Sequence, residues 1–223
     1  MTMPGCKQDP SATVYGRNGY FTASAWTYNT APQPCPFGKI RALLKFNQMS
    51  LSIPPNAHIT SATLRLFGAG SGAFSWYLGA PYVVYYPSHF NSNELNITRI
   101  TAQWNPLTVT WNSQPQSGVS VVTMPASTSS SYYNPCVDVT SLVQEMVNSN
   151  TYYGFKFTLQ TEDYYRSMQF FSSDEKDSSK RPLLEVSYTL PCAKSIKFVN
   201  QTSAAFSQVP DKFNSKQVAK KKP

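Results

Sequence analysis

Polar and apolar positions alternate with a period of two along much of this chain, most clearly between Lys39 and Phe67. On an extended backbone Ile40, Ala42, Leu44 and Phe46 share one face, while Arg41, Leu43 and Lys45 share the other. Further along, Ala62, Leu64 and Leu66 alternate with Thr63, Arg65 and Phe67. Between the two runs lies Ile53-Pro54-Pro55-Asn56-Ala57-His58, where proline lacks the N–H that a central strand would donate. The pattern predicts a long hairpin with hydrocarbon turned toward a core and cations turned outward.

Similar alternation predicts strands over residues 12–15, 20–23, 82–86, 96–101, 154–160, 167–172 and 183–188. Gly16-Arg17-Asn18-Gly19 and the glycine-rich stretch 68–72 read as turns, and residues 29–38, with three prolines, read as a loop. Residues 117–135 are polar and low in charge, and their Ser-Thr run 127–131 reads as a loop. One stretch reads as helix: Leu142, Val143, Met146 and Val147 recur at helical spacing within 138–147, and Ser141 with Gln144 resembles a capping box. Many short strands, turn-rich links and one short helix predict an all-β fold, an antiparallel jelly-roll-like β-sandwich. Its expected extent is 12–190, preceded by an N-terminal extension (1–11) and followed by a basic tail or linker (191–223) that holds a strand-like run at 194–199.

Composition narrows the class. A chain of 223 residues with 41% hydrophobic residues can bury a full β core. Charged residues make up 13%, against roughly 25% in an average soluble domain, and aromatics reach 14%. Net charge is +8, part of it in Lys220-Lys221-Lys222, which reads as a solvated tail. The four cysteines, Cys6, Cys35, Cys136 and Cys192, form no C-x-x-C pair, and with only His58 and His89 beside them no metal site or cofactor is expected. They read as two disulfides in an oxidising compartment. Three connectivities are open, with Cys6–Cys35 and Cys136–Cys192 preferred; four buried free thiols are the alternative. No apolar secretory core follows Met1, so the expectation is a secreted or cell-surface chain whose leader has been removed. No segment approaches the roughly 20 apolar residues of a membrane span.

The ordered set of motifs resembles a DNRLRE-type domain. It comprises Ile40 to Phe46, the proline-containing gap, Ile59 to Leu66, Trp104 with Thr108-Val109-Thr110-Trp111-Asn112 and Pro115, and Val137-Asp138-Val139-Thr140 before the helix. Gly154-Phe155, Phe171-Ser172-Ser173-Asp174-Glu175 and Arg181-Pro182-Leu183-Leu184-Glu185-Val186 complete the order, so the likeness covers roughly 12–188. Such domains are similar to carbohydrate-binding modules for alginate-like acidic polysaccharides and to repeats of microbial surface proteins. The resemblance implies a secreted, non-catalytic sandwich without fixing a ligand.

Several residues suit an acidic polysaccharide. Arg41, Lys45 and Arg65 would form a cationic row if their strands were neighbours, since arginine grips a carboxylate through two parallel hydrogen bonds. The alternative is that Arg41 and Arg65 pair with Glu185 or Asp138 as ordinary sheet ion pairs. Among aromatics, Trp76-Tyr77 beside the glycine-rich turn, and Tyr164-Tyr165 with Arg166 between strands, are the candidates for exposed sugar platforms; Tyr82, Tyr85 and Tyr86 are further ones. Trp104 and Trp111 either plug an end of the core or serve as a ligand platform. Acidic residues cluster in turns, as at Glu162-Asp163 and Asp174-Glu175, and neither histidine joins a recognisable constellation, so catalysis is not expected. Nucleic-acid binding would use the positive charge, but no known module is present. The rival reading is a structural or adhesive subunit of an extracellular fibre, self-associating by strand exchange through a terminal segment in which Ile196 and Phe198 alternate with Lys197.

Overall fold

Alternating burial sorts the side chains of this protein into three antiparallel sheets. The computed structural model describes residues 19–30, 33–69, 92–128, 133–163, 166–191, 196–201 and 206–208, with backbone alone at 26–30, 33–38 and beyond 191. In chain order the strands are β1 (Tyr20–Thr30), β2 (Gln33–Ile40), β3 (Ala42–Leu44), β4 (His58–Arg65), β5 (Leu95–Ile100), β6 (Ser117–Met124) and β7 (Cys136–Asp138), followed by β8 (Phe155–Leu159), β9 (Arg166–Phe171), β10 (Leu183–Thr189), β11 (Ile196–Gln201) and β12 (Phe206–Gln208). A four-residue helix α1 (Met49–Ser52) precedes β4, and α2 (Thr140–Ser149) follows β7.

One layer is the sheet β3-β8-β5-β6, with Leu44, Leu95, Ile97, Phe155, Phe157, Leu159 and Met124 buried on its inner face. The sheets β2-β1-β9 and β12-β11-β10-β4-β7 are joined where β4 runs on: Phe67 O accepts from Phe171 N at 2.9 Å, and Gln169 O accepts from Ala69 N at 3.2 Å. Phe21 of β1 meets Phe157 of the first layer at 5.5 Å and Phe170 at 5.7 Å, so the layers close over shared aromatics. The all-β sandwich expected from the alternation is the fold of the molecule.

The helix buries Leu142, Val143, Met146 and Val147, as its spacing predicts. Burying each of these side chains stabilises the fold by about 1.5–3 kcal/mol. Its start differs from expectation. The N-cap is Val139 with no side-chain cap, and Gln144 is drawn away to Ile59 N (2.7 Å) and Ala57 O (3.2 Å) of the facing strand. Asp138 serves the helix start instead, accepting from Thr140 N at 2.9 Å. Asn150 ends the helix in the left-handed region at φ 51°, its N–H reaching Met146 O and Val147 O.

Several expected boundaries move. The supposed loop 29–38 carries the end of β1 and most of β2; among the described residues β2 pairs on one side only, where an edge strand tolerates proline. The run from Lys39 to Phe46 is not one strand: Ile40 pairs with Ser24 in one sheet, and Ala42 pairs with Phe157 in the other. Nor is it the partner of the run from Ile59, since β4 pairs with β10 and β7. The polar stretch 117–135 supplies β6, and the stretch expected as a tail supplies β11 and β12. β11 adds six ladder positions to β10, from Leu183 with Gln201 to Tyr188 with Ile196.

Of the four cysteines expected to form disulfides, Cys136 carries an exposed thiol on β7, paired in the ladder with Arg65. Cys6 and Cys192 lie outside the described residues, and Cys35 is placed by its backbone on β2.

Candidate functional site

Two crossings between the layers lie side by side. The chain passes from β2 to β3 at Arg41, and from β8 to β9 through residues 160–165, and β3 and β8 are paired neighbours. Arg41 ties the crossings together: its Nε donates to Glu162 Oε1 at 2.6 Å and its Nη2 to Glu162 Oε2 at 2.9 Å. Lys39 Nζ adds a contact of 3.1 Å to the same carboxylate. Gln114 Oε1 accepts from Arg41 Nη1 at 3.2 Å, and the guanidinium lies 4.7 Å over the ring of Trp111. An arginine over an indole is an attractive arrangement, strengthened where water is partly excluded.

Lys156 completes the group. It lies on β8 between Phe155 and Phe157, both fully buried toward the core, so its own side chain emerges on the outer face. There it sits with Leu43 and Thr98 as its strand neighbours. Asn96, Thr158 and Thr123 occupy adjacent positions of the same face, a run of hydroxyl and amide groups beside the cations. Burial and then the charge of Arg41 push the Lys156 amine below the ordinary lysine value, with Glu162 opposing them. Burial resists ionisation of Glu162, but the hydrogen bonds and charges of Arg41 and Lys39 outweigh it and hold its carboxyl below the usual range. Three cations therefore gather around one carboxylate, next to an aromatic face.

The expected cationic row does not form. Arg41 belongs to the crossing into one sheet and Arg65 to a strand of another, so the two never share a face. Arg65 Nε instead pairs with Glu185 Oε2 at 2.8 Å and its Nη1 approaches Cys136 Sγ at 3.7 Å. Lys45 follows β3 and is half-buried. Arg166 is not in an exposed loop: it opens β9, is 8% exposed, and donates through Nη1 to Thr161 O at 3.1 Å beside the Arg41 group. Trp76, Tyr77, Tyr82, Tyr85, Tyr86, Tyr164 and Tyr165 lie outside the described residues. Both tryptophans are half-buried, Trp104 donating from Nε1 to Tyr153 O at 2.8 Å and Trp111 lying under the Arg41 guanidinium.

Sequence reasoning passed over Lys156, Glu162, Gln114 and Lys39. A lysine between two core phenylalanines is the one local signal for the first; the rest are brought in by the crossings. No helix among the described residues is long and apolar enough to cross a membrane. A search of curated proteins finds no match to the chain. Residues 82–188, a little under half of the chain, match the model of carbohydrate-binding module family 96, a span that holds Trp111, Gln114, Lys156 and Glu162 but not Arg41. The match does not carry the DNRLRE-type name; what it supports is similarity to a carbohydrate-binding module.

Proposed function

We propose that the protein is a secreted, non-catalytic carbohydrate-binding module for an acidic polysaccharide, bound at the Arg41 crossing and the outer face beside it. The observation that carries this reading is the excess of cations over carboxylate around Trp111, since an indole stacks on sugar C–H faces while cations select charged sugars. Asn96, Thr98, Thr123 and Thr158 offer hydroxyl and amide partners along the same face. The similarity of residues 82–188 to a carbohydrate-binding module family supports the same class of ligand. Electrophoresis through gels containing alginate, polygalacturonate or a neutral β-glucan tests it. Retardation by the acidic polymers that fades with added salt is the expected result; equal mobility in every gel refutes it.

A second reading, a fibre subunit joined by strand exchange, is favoured by β11, whose six-position ladder shows that the edge of β10 accepts this segment as a strand. Removal of 192–223 followed by measurement of mass in solution separates the two, because exchange between copies requires that segment.

A further inference from the structure

We infer that Lys156 is the residue that receives the anionic group of the ligand, a uronate carboxylate or a sulfate ester, while Arg41 and Lys39 serve as a frame already satisfied by Glu162. This rests on the carbohydrate reading above. The charges around the crossing are unequally served. Both oxygens of Glu162 are taken by Arg41, and Lys39 shares one of them. Gln114 takes a further Arg41 donor. The guanidinium is thereby fixed in place and largely spent, which suits it to hold Trp111 rather than to grip a ligand.

Lys156 is different. It is 9% exposed, yet among the described residues its ammonium has no hydrogen bond and no ion pair. An ammonium partly withdrawn from water in this way gains from a partner that replaces the lost hydration. Lys156 stands at an outward position of its strand, paired with Leu43 and Thr98, with Arg41 and Glu162 as the charged groups that act on its three-donor ammonium. Arg41 repels it, and Glu162 is committed elsewhere. An incoming anionic oxygen group would supply the missing partner, and the surrounding burial would strengthen that contact over one in open water.

The division of labour predicts that charge selectivity lies in Lys156 alone. A uronic-acid oligosaccharide, its carboxyl-reduced neutral counterpart and a sulfated oligosaccharide are titrated calorimetrically into the full chain and its K156Q variant. The wild type is expected to prefer an anionic oligosaccharide over the neutral one by about ten-fold or more. K156Q is expected to lose that preference. Whichever of the two anionic sugars is preferred identifies the source of the group. The K156R variant keeps the charge, is expected to keep the preference, and serves in place of K156Q should the latter fail to fold: loss of preference in K156R then refutes the inference. The depressed amine value adds a second readout, because the preference should disappear as pH rises at a lower pH than an ordinary lysine, about 10.4, would give. A K156Q protein that retains full preference overturns the inference and leaves carbohydrate binding intact. A wild type that binds none of the three sugars overturns both.

Discussion

Two arginine–glutamate pairs in this protein use the same chemistry for different ends. Arg65 and Glu185 meet on the outer face of the β12-β11-β10-β4-β7 sheet, diagonal to one another across β4 and β10, with Arg65 46% exposed at its side chain. Arg41 and Glu162 meet at a crossing between layers, 29% and 15% exposed, joined by Lys39, Gln114 and Trp111 and acting on Lys156. The first pair is an exposed ion pair of the sort that contributes about 0–1 kcal/mol. The second fixes two chain segments and positions an aromatic ring. Arginine and glutamate in contact are therefore no signal by themselves; what surrounds them decides.

The largest expected effect comes from removing the support under one member of the comparison. Gly154 stands at φ +91°, and a Cβ there would lie 2.1 Å from Leu44 O and 2.9 Å from Lys45 Cα, backbone atoms of the chain leading out of β3. Gly154→Ala should cost about 3 kcal/mol or more in urea unfolding, because neither the torsion nor the backbone contact can yield cheaply. Next in size, Arg41→Ala should cost about 1–3 kcal/mol by leaving the half-buried Glu162 with Lys39 alone. Arg65→Ala should cost less than about 1 kcal/mol. Equal losses for the two variants would erase the distinction drawn here.

The pH dependence sharpens it. Glu162 ionises at lower pH in the folded chain than in the unfolded one, so its contribution is fully present above the unfolded carboxyl value of about 4.3. It is lost as pH falls through the lower folded value. The stability gap between wild type and Arg41→Ala should thus close under acid, as followed by urea midpoints measured from neutral pH downward. The smallest effect expected concerns the other pair's neighbour. Cys136→Ser should change stability by no more than about 0.5 kcal/mol, since it removes one exposed thiol and no cross-link. The native protein should lose one thiol equivalent toward a thiol reagent when Cys136 is replaced; an unchanged thiol count would place a disulfide at that position.

Period-two alternation made the fold legible. Ala42, Leu44, Ala62, Leu64, Val186 and Tyr188 are buried as their spacing predicts, and the helix buries the expected four side chains. Alternation within one strand says nothing about which strand lies beside it. Arg41, Lys45 and Arg65 therefore looked like one row, whereas the change of sheet at Arg41 sends Arg65 to the other layer. The prolines of 29–38 hid β2, which among the described residues pairs on one side only, as an edge strand that tolerates proline does. The candidate site was legible in Arg41 and, as one of two roles, in Trp111. Apart from Lys39, its remaining members lie more than 70 positions from Arg41, as Gln114 and Glu162 do, and only tertiary structure brings them together.

Calorimetric titration of one uronic-acid oligosaccharide into wild type, Trp111→Ala and Arg65→Ala puts the two regions in direct competition. Binding at the crossing predicts about a ten-fold loss for Trp111→Ala and a change of less than about two-fold for Arg65→Ala. Undiminished binding by Trp111→Ala together with loss in Arg65→Ala would place the ligand on the opposite layer and contradict the account.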